Sequence, residues 1–302
     1  MRLPRALLDA ALRLTVKPAL RRIDDPGALR RQLERDAALW FRKPPGMTTE
    51  AAATQRPDAL WASARGARAD AGAILYLHGG AYIAGSPRTH AHLAAALAGA
   101  AGMRALLPDY ALAPERPLPA ALADARAAWD WLAETGAPGQ PLALAGDSAG
   151  GGLAFALLAA LIADGAPLPT SVVGVSPWVD LTLSGASSRK NASAEAMLPV
   201  ERMGAAVAMV TGGADPADPR ISPVFARYPG APPALVFASR DEALRDDGVS
   251  MVRRLEADGV PATLALEPRL PHAWPVFRGW LAEAARDIAR AGSFIAHAVG
   301  RR

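Results

Sequence analysis

The sequence predicts an α/β fold in which helices flank a mostly parallel sheet and a helical cap covers one end of it. From residue 73 onward, short apolar runs alternate with helical patterns, as βαβ units require. The runs are largely apolar, which is typical of parallel strands buried on both faces. Hydrophobic residues make up 51% of the 302 positions and charged residues 21%, so the chain can build a large core.

The predicted elements follow one another in a regular order. Six apolar runs are the strand candidates: residues 73–77, 104–108, 142–145, 171–175, 234–238 and 263–266. Five helical patterns follow or separate them: residues 88–98, 119–134, 151–163, 246–257 and 280–299. The alternation of strands with helices of this length indicates crossovers between parallel strands.

Two stretches do not follow this alternation. Residues 1–45 hold an apolar stripe at helical spacing, and residues 184–213 are small, polar and helical in pattern. We expect residues 1–45 to form a cap segment over the open end of the sheet, with 184–213 contributing to it, and residues 46–302 to form the main domain. For the N-terminal stretch, ordinary packing helices and a membrane-surface helix are the alternatives.

Composition excludes several classes of protein. The chain has 33 Lys and Arg against 29 Asp and Glu, a net charge of +4, and its arginines form no run, so nucleic acid is not expected as a partner. The absence of cysteine excludes a thiol nucleophile, Cys-ligated zinc, an iron–sulfur cluster and disulfides. No metal site is expected.

The length of the apolar runs and the charges near the N-terminus indicate the cellular location to expect. The longest apolar run, residues 150–163, is shorter than the roughly 18 residues that span a bilayer, so no stable membrane insertion is expected. Charges interrupt the N-terminal stripe where a signal peptide would need an apolar core. We therefore expect a cytoplasmic protein, and a homodimer is left open.

The block Gly146-Asp147-Ser148-Ala149-Gly150-Gly151 matches G-x-S-x-G, the pattern of a nucleophile elbow. It follows one predicted strand and opens a predicted helix, which is the context the pattern requires. Small residues at both flanking positions leave room for a serine on a sharp turn. Ser148 is therefore the candidate nucleophile; a glycine-rich strand-to-helix turn without chemistry is the alternative.

A second glycine-rich block, His78-Gly79-Gly80-Ala81, directly follows the first predicted strand. Glycines after a strand allow backbone N–H groups to point into a cavity, where they can bind the oxyanion of an acyl transfer. Together with the N–H of the residue after the nucleophile, the predicted donors are Gly79, Gly80 and Ala149. A βα turn whose glycines only permit close packing is the alternative. His78 is expected to orient this loop.

His272 is the candidate base among the five histidines. It lies in a proline-flanked loop after the last predicted strand, at the sheet edge where open α/β folds bind ligands. His90 and His92 are expected on the surface of a helix. An acid must precede His272, and Asp241 and Glu242 both follow the fifth predicted strand. The residues by themselves leave these two open.

These motifs resemble the hormone-sensitive-lipase-like family of α/β-hydrolase esterases over about residues 45–300. The blocks that carry the resemblance are residues 78–80 with Tyr82, residues 109–115 (DYALAPE), 146–151 (GDSAGG), 176–181 (SPWVDL) and 244–247 (LRDD). The resemblance implies an α/β-hydrolase fold with an N-terminal helical cap, and ester hydrolysis without a metal or organic cofactor. The family register places the acid two residues before Leu244, which favours Glu242.

Two positions depart from the family pattern. Ala81 replaces its third glycine, which we expect to leave the donors intact, and Ala111 replaces its arginine, so any contact of that arginine is absent. These variants, together with Tyr82 and Trp274, resemble an ε-lactone hydrolase subgroup. Tyr82, Trp178 and Trp274 are candidates for pocket walls, with plain core aromatics as the alternative.

The sequence thus predicts a serine carboxylesterase that acts on short to medium acyl esters or lactones through an acyl-enzyme intermediate. Its partner is then a small-molecule ester or lactone. A serine amidase or peptidase on the same scaffold is the alternative among enzymes. A non-catalytic small-molecule receptor is the alternative outside them.

Overall fold

The computed structural model describes residues 3–55, 57–137 and 139–300, and within these ranges eight strands form one sheet. The strands are β1 (Thr48–Ala51), β2 (Ala59–Ser63), β3 (Ala73–Leu77), β4 (Arg104–Pro108), β5 (Leu142–Asp147), β6 (Val172–Val175), β7 (Ala234–Ser239) and β8 (Ala262–Glu267). The helices are α1 (Arg5–Leu14), α2 (Val16–Arg21), α3 (Pro26–Trp40), α4 (Pro87–Ala101), α5 (Ala120–Thr135), α6 (Ala149–Ala163), α7 (Ser187–Lys190), α8 (Met203–Thr211), α9 (Arg245–Ala257) and α10 (Ala282–Val299).

The strand order across the sheet is β1-β2-β4-β3-β5-β6-β7-β8. Strand β2 pairs antiparallel with both β1 and β4, whereas all the pairs from β4 through β8 are parallel. The carboxyl ends of β3 to β8 therefore meet at one edge, where ligands bind in open α/β sheets. The predicted α/β fold with a mostly parallel sheet is confirmed.

Strands β1 and β2 have no counterpart among the sequence predictions. All four residues of β1 are exposed, so the strand has no apolar run by which to recognise it. Strand β2 is only five residues long and mixes buried with half-buried positions. Both strands are held by antiparallel pairing at the edge of the sheet, which a search for buried parallel strands does not detect.

The sheet separates two apolar cores. In β3, Leu75 and Leu77 face one core, while Ile74 and Tyr76 face the other, because successive side chains of a strand point to opposite faces. Helices α5, α6 and α9 pack on the first face, and α4 and α10 pack on the second. The helices thus cover both faces, and the loops at the carboxyl edge of the sheet are left for the site.

The N-terminal helices contribute to both cores. Leu8 and Leu12 of α1 are buried with the second core, and Ile23 and Leu29 with the first. The predicted helical stretch 184–213 contains the short helices α7 and α8 and a one-turn 3-10 helix, Val200–Arg202, directly before α8, with irregular chain between α7 and this turn. Of the predicted segments 1–45 and 46–302, residues 1–2, 56, 138 and 301–302 lie outside the described residues.

A row of basic side chains joins the N-terminal helices to the stretch 184–213. Lys17 and Arg21 lie four residues apart on α2, the spacing that puts side chains on one helix face, and Arg13 precedes them at the end of α1. Their partners are the carbonyl oxygens of Ser193, Ala194 and Glu195 and the carboxylate of Glu201. The two predicted cap stretches therefore contact each other. In the part of the chain that the structure describes, no helix combines the length and apolar character needed to cross a membrane.

Candidate active site

Ser148 lies on the turn between β5 and α6, in a backbone conformation that L-residues rarely adopt. Its φ is 53° and its ψ −123°, as expected for a serine on a strained elbow. A Cβ on Gly146 would clash with the carbonyl oxygen of Gly150, and one on Gly150 would clash with that of Leu77. The glycines flanking Ser148 are therefore required by close backbone approach, as the sequence predicts.

Ser148, His272 and Glu242 are buried and joined by hydrogen bonds. The Nε2 atom of His272 lies 2.9 Å from Ser148 Oγ, and its Nδ1 atom lies 2.9 Å from Glu242 Oε2. Because an ionised carboxylate can only accept, Nδ1 carries the proton and donates it, which leaves Nε2 to accept the Ser148 hydroxyl proton. Asp241 makes no such contact, so the structure brings Glu242 to the histidine.

The loops around the histidine and the acid are fixed by further hydrogen bonds. The N–H of Ser239 donates to Glu242 Oε1 over 2.7 Å, which orients the carboxylate at the end of β7. The N–H of Ala273 donates to Ser176 Oγ over 3.1 Å, which holds the backbone next to His272. The first contact limits rotation of the Glu242 carboxylate, and the second fixes the backbone that carries His272.

The electrostatic surroundings of His272 favour its protonated form. Burial by itself lowers the pKa of His272, but the hydrogen bond to Glu242 and the charge of that carboxylate outweigh burial. The more distant carboxylates of Glu195 and Asp147 act in the same direction. The pKa of His272 therefore lies above its ordinary value, which suits a group that must take up a proton during the reaction.

The predicted donor role of Gly79 does not fit the geometry. Its N–H donates to the buried carboxylate of Asp147 over 3.2 Å, so it is occupied within the protein. Gly80 and Ala81 instead line the cavity beside Ser148. Among the described residues, the N–H groups of Gly80, Ala81 and Ala149 donate to no hydrogen-bond acceptor.

Gly80 and Ala81 also show why this loop needs small residues. Gly80 has a φ of 126°, and a Cβ there would clash with the carbonyl oxygen of Ala84. Ala81 has a φ of 56°, a left-handed conformation that is uncommon outside glycine. Ala81 therefore takes the backbone position of the family's third glycine at the cost of some strain.

Asp147 is the residue of this site whose role the sequence analysis did not identify. It is buried, accepts the Tyr76 hydroxyl over 2.7 Å, and lies 3.4 Å from His90 Nε2. Burial raises the pKa of Asp147, but the nearby His90 and the Tyr76 hydrogen bond outweigh it, so its pKa is lowered. Since it also accepts the Gly79 N–H, Asp147 connects the nucleophile turn to the glycine loop. Its place beside Ser148, at the end of a buried strand, was the available clue.

The histidines near this carboxylate differ in part from expectation. His90 and His92 were expected at a helix surface, but both are buried, because α4 packs between the sheet and α10. His78 stacks on Tyr110 with ring centroids 4.2 Å apart, and its Nδ1 lies 2.9 Å from the Gly79 carbonyl oxygen. Burial, together with His90, lowers the pKa of His78 to about 3, so it is neutral. This geometry suits the loop-orienting role.

A small apolar cavity of about 70 Å³ opens beside Ser148. Trp178 lines it, as expected for a pocket wall. The remaining lining residues besides Gly80, Ala81 and Ser148 are Leu20, Ile23, Leu29, Ile83, Leu198, Pro199, Arg202, Met203, Ala206 and Leu244. The lining is thus almost entirely apolar and includes residues of α2 and α3.

Two predicted pocket walls lie elsewhere. Tyr82 is buried behind Trp178, with ring centroids 6.3 Å apart, and does not reach the lining. Trp274 belongs to the core on the opposite face of the sheet, where its Nε1 donates to Asp287 over 2.9 Å. The prediction for Trp274 is wrong because the chain turns after His272, so that the next side chains point into that core.

A buried serine, histidine and carboxylate at the carboxyl edge of a parallel sheet define the α/β-hydrolase class of serine hydrolases. Across the described residues, no three His, Asp or Glu side chains are grouped so as to hold a metal ion. A family profile described as the alpha/beta hydrolase fold matches residues 74–276.

Relatives with curated names agree with this class. An acetyl-hydrolase of Streptomyces hygroscopicus is 41% identical over 236 residues, which cover 78% of this chain and 79% of the relative. An ethyl acetate hydrolase of Pseudomonas putida is 34% identical over 257 residues, which cover 80% of this chain and 81% of the relative.

Solved structures agree as well. A bacterial esterase of the hormone-sensitive lipase family has a TM-score of 0.86 and 38% identity, covering 94% of this chain and 99% of that one. EstE7, a hormone-sensitive lipase homologue from a metagenome library, has a TM-score of 0.89 and 31% identity, covering 99% and 100%. The chain therefore belongs to the hormone-sensitive-lipase-like family of α/β-hydrolases and is a carboxylic ester hydrolase. The predicted family and enzyme class are confirmed, against the receptor alternative.

Proposed function

We propose that Ser148 is the nucleophile, His272 the general base and acid, and Glu242 the carboxylate that orients His272. The supporting observation is the continuous chain of hydrogen bonds from Glu242 through His272 to the Ser148 hydroxyl, at the mouth of an apolar cavity. The N–H groups of Gly80, Ala81 and Ala149 form the oxyanion hole. Ala81 thus replaces Gly79 in the donor set that the sequence suggested.

The proposed reaction is a two-step acyl transfer. Ser148 Oγ attacks the ester carbonyl carbon while its proton passes to His272 Nε2. The negative charge on the former carbonyl oxygen is bound by the oxyanion hole, where one donor is worth about 3–4 kcal/mol in comparable enzymes. His272 then gives its proton to the leaving alcohol. A water molecule, deprotonated by His272, then attacks the acyl-enzyme. The bond to Ser148 Oγ breaks, His272 returns the proton to this oxygen, and the carboxylic acid is released.

The proposed substrates are esters with short acyl chains. A cavity of about 70 Å³ holds on the order of five water-sized groups, which is enough for an acyl chain of a few carbons. The apolar lining favours a hydrocarbon acyl chain over a polar one. Relatives named acetyl-hydrolase and ethyl acetate hydrolase support the same range. Lactones, for which one ring-opened acid would be the product, stay a prediction from sequence.

A series of p-nitrophenyl esters tests the proposed substrate class. We expect the highest kcat/KM for acetate to butyrate and a loss of roughly tenfold or more for decanoate, because overfilling a packed cavity costs about 1–3 kcal/mol. Matched p-nitroanilides, as the control for the amidase alternative, should be hydrolysed more slowly than the esters. A maximum at decanoate, or faster turnover of the anilides, would contradict the proposal.

We also propose that α1–α3 and the stretch 184–213 together form the cap of this site. Leu20, Ile23 and Leu29 of the N-terminal part line the cavity. From the stretch 184–213, the lining residues are Leu198, Pro199, Arg202, Met203 and Ala206. Arg202 donates to both carboxylate oxygens of Asp24 over 2.6 Å and so joins the two parts above the cavity. Plain packing helices would not supply a wall of the acyl site.

Shortening a cap side chain should therefore change acyl-chain selection. We expect Leu29→Ala to raise the hexanoate-to-acetate ratio of kcat/KM by roughly fourfold for each methylene that gains room, since a buried methylene is worth about 0.8 kcal/mol. Leu39→Ala is the matched control, because Leu39 lies on the same helix and is 78% exposed. Equal ratios in the two variants would assign α3 to packing alone.

The location and the oligomeric state stay predictions from sequence. A cytoplasmic protein is expected, and a homodimer remains open. Fractionation of the producing cells addresses the first, and sedimentation velocity over a range of concentrations addresses the second.

A further inference from the structure

The loop that carries the candidate acid is bound from the cap side. We call residues 239–245 the acid loop. Asn191, in the cap stretch 184–213, donates from Nδ2 to the carbonyl oxygen of Arg240 over 2.8 Å and to that of Glu242 over 2.9 Å. The backbone on which Glu242 stands is thus held by a side chain from outside the sheet domain.

Glu195 provides a second contact from the same stretch. Its side chain is buried, and the residue is only 1% exposed. Glu195 Oε2 accepts the N–H of Ala243 over 2.8 Å, immediately after Glu242. Glu195 Oε1 accepts the N–H groups of Met197 over 2.8 Å and Leu198 over 3.1 Å.

The chemistry of these contacts selects a carboxylate at position 195. Both oxygens face backbone N–H donors, and an ionised carboxylate accepts on both sides. A glutamine would place its NH₂ group against one of the donors, at Ala243 or at Met197 and Leu198. Loss of a hydrogen bond to a buried N–H is costly, so the local chain would shift.

The N-terminal helices reach the same point. Lys17 Nζ donates to the backbone carbonyl oxygen of Glu195 over 2.8 Å, and Lys17 is itself buried. Burial lowers the pKa of Lys17, while the carboxylate of Glu195 acts in the opposite direction. A continuous path of contacts thus runs from α2 through Glu195 to the acid loop.

Glu195 also adds a negative charge behind the catalytic histidine. The carboxylates that act on His272 are those of Glu242, Glu195 and Asp147. A small polar cavity on the far side of the acid loop is lined by the charged residues Arg5, Asp9, Glu195, Asp241, Glu242 and Arg269. Lys17 is the cation bonded to the backbone of Glu195. None of the carboxylates and cations named in this paragraph lines the acyl cavity beside Ser148.

We propose that Glu195 is a positioning residue for ester hydrolysis. Because it accepts the Ala243 N–H, it keeps Glu242 aligned on His272. Because Lys17 bonds to its backbone, this alignment also depends on the docked N-terminal helices. The inference rests on the triad proposed above. It assigns to the cap a part in the chemical step, beyond lining the acyl cavity.

The test compares Glu195→Gln with Glu201→Gln in the full-length protein. Glu201 is a matched control, because it belongs to the same cap stretch and bonds to α2 through Arg21, yet its side chain is 53% exposed. We expect Glu195→Gln to lower kcat for p-nitrophenyl butyrate by about 10²-fold, since displacement of a catalytic group by about 1 Å has effects of that size. The KM of Glu195→Gln should stay near that of the unaltered protein. For Glu201→Gln, both kcat and KM should stay near those of the unaltered protein.

The pH profile separates positioning from a general loss of structure. Because the charge of Glu195 raises the pKa of His272, the acid limb of kcat/KM should move to lower pH in Glu195→Gln. Glu195→Asp keeps the charge but is too short to bond to both sets of N–H groups. It should show a reduced kcat with an acid limb close to that of the unaltered protein. Phenylmethylsulfonyl fluoride titration gives the active fraction to which kcat is normalised.

The inference is overturned if Glu195→Gln, normalised in this way, matches Glu201→Gln in kcat and in its acid limb. If Glu195→Gln does not fold, Glu195→Asp decides: a reduced kcat at unchanged KM supports the inference, and an unreduced kcat overturns it. Turnover by folded Ser148→Ala would instead contradict the proposed triad, on which the inference rests. The two failures are therefore distinguishable.

Discussion

Ser148→Ala is expected to lower kcat for p-nitrophenyl butyrate by roughly 10⁶, because removal of the nucleophile leaves only binding and oxyanion stabilisation. The fold should remain, since the Ser148 hydroxyl bonds to His272 and supports no element of the sheet. Circular dichroism and the melting temperature check the fold, and initial rates of p-nitrophenol release check the activity.

Ser193→Ala is a suitable control for this variant. Ser193 lies in the cap stretch and is exposed, and only its carbonyl oxygen bonds to Arg13. Its kcat should equal that of the unaltered protein. Substantial turnover by folded Ser148→Ala would mean that another group attacks the ester, and the elbow would then be a structural turn.

Glu242→Gln is expected to lower kcat by about 10⁴, as loss of the orienting charge does in related triads. The amide oxygen can still accept the Ser239 N–H, but the amide NH₂ would then face His272 Nδ1 and favour the wrong tautomer. The charge that raises the pKa of His272 is also removed. Any residual activity should therefore have its acid limb at lower pH than in the unaltered protein.

Asp241→Asn is the matched comparison, because it changes the adjacent carboxylate in the same way. Asp241 lines the small polar cavity behind the acid loop and does not contact the histidine, so its variant should lose far less activity. Rates of both variants on one ester, normalised to active sites, give the ranking. The reverse ranking would make Asp241 the functional acid and would require the loop to rearrange in solution.

Much of the site could be predicted because its determinants are local in the chain. The elbow around Ser148 requires small neighbours within two residues, and the strand before it and the helix after it have their own apolar patterns. His272 lies in the loop after the last strand, which ends at Glu267. In a parallel sheet, strand ends converge at one edge whatever the details of packing, so chain order alone brings such residues together.

The choice between adjacent residues needed more than local pattern. Asp241 and Glu242 both follow β7, and only the path of the acid loop turns Glu242 towards His272. The family register anticipated this geometry. By contrast, the prediction of Tyr82 and Trp274 as pocket walls rests only on their being aromatic residues beside the motifs, and nothing local determines the face on which such side chains lie.

The parallel sheet, the serine elbow, the histidine loop and the class of chemistry could therefore be predicted from local patterns in the chain. The bond from Gly79 to Asp147, 68 residues away, and that from Ala243 to Glu195, 48 residues away, could not. Such contacts depend on how separate elements dock, which no local pattern encodes. The spacing of apolar residues in a segment indicates which of its faces is buried. A buried hydrogen bond between distant residues forms only after both of their elements have docked, so its partner cannot be read from the segment.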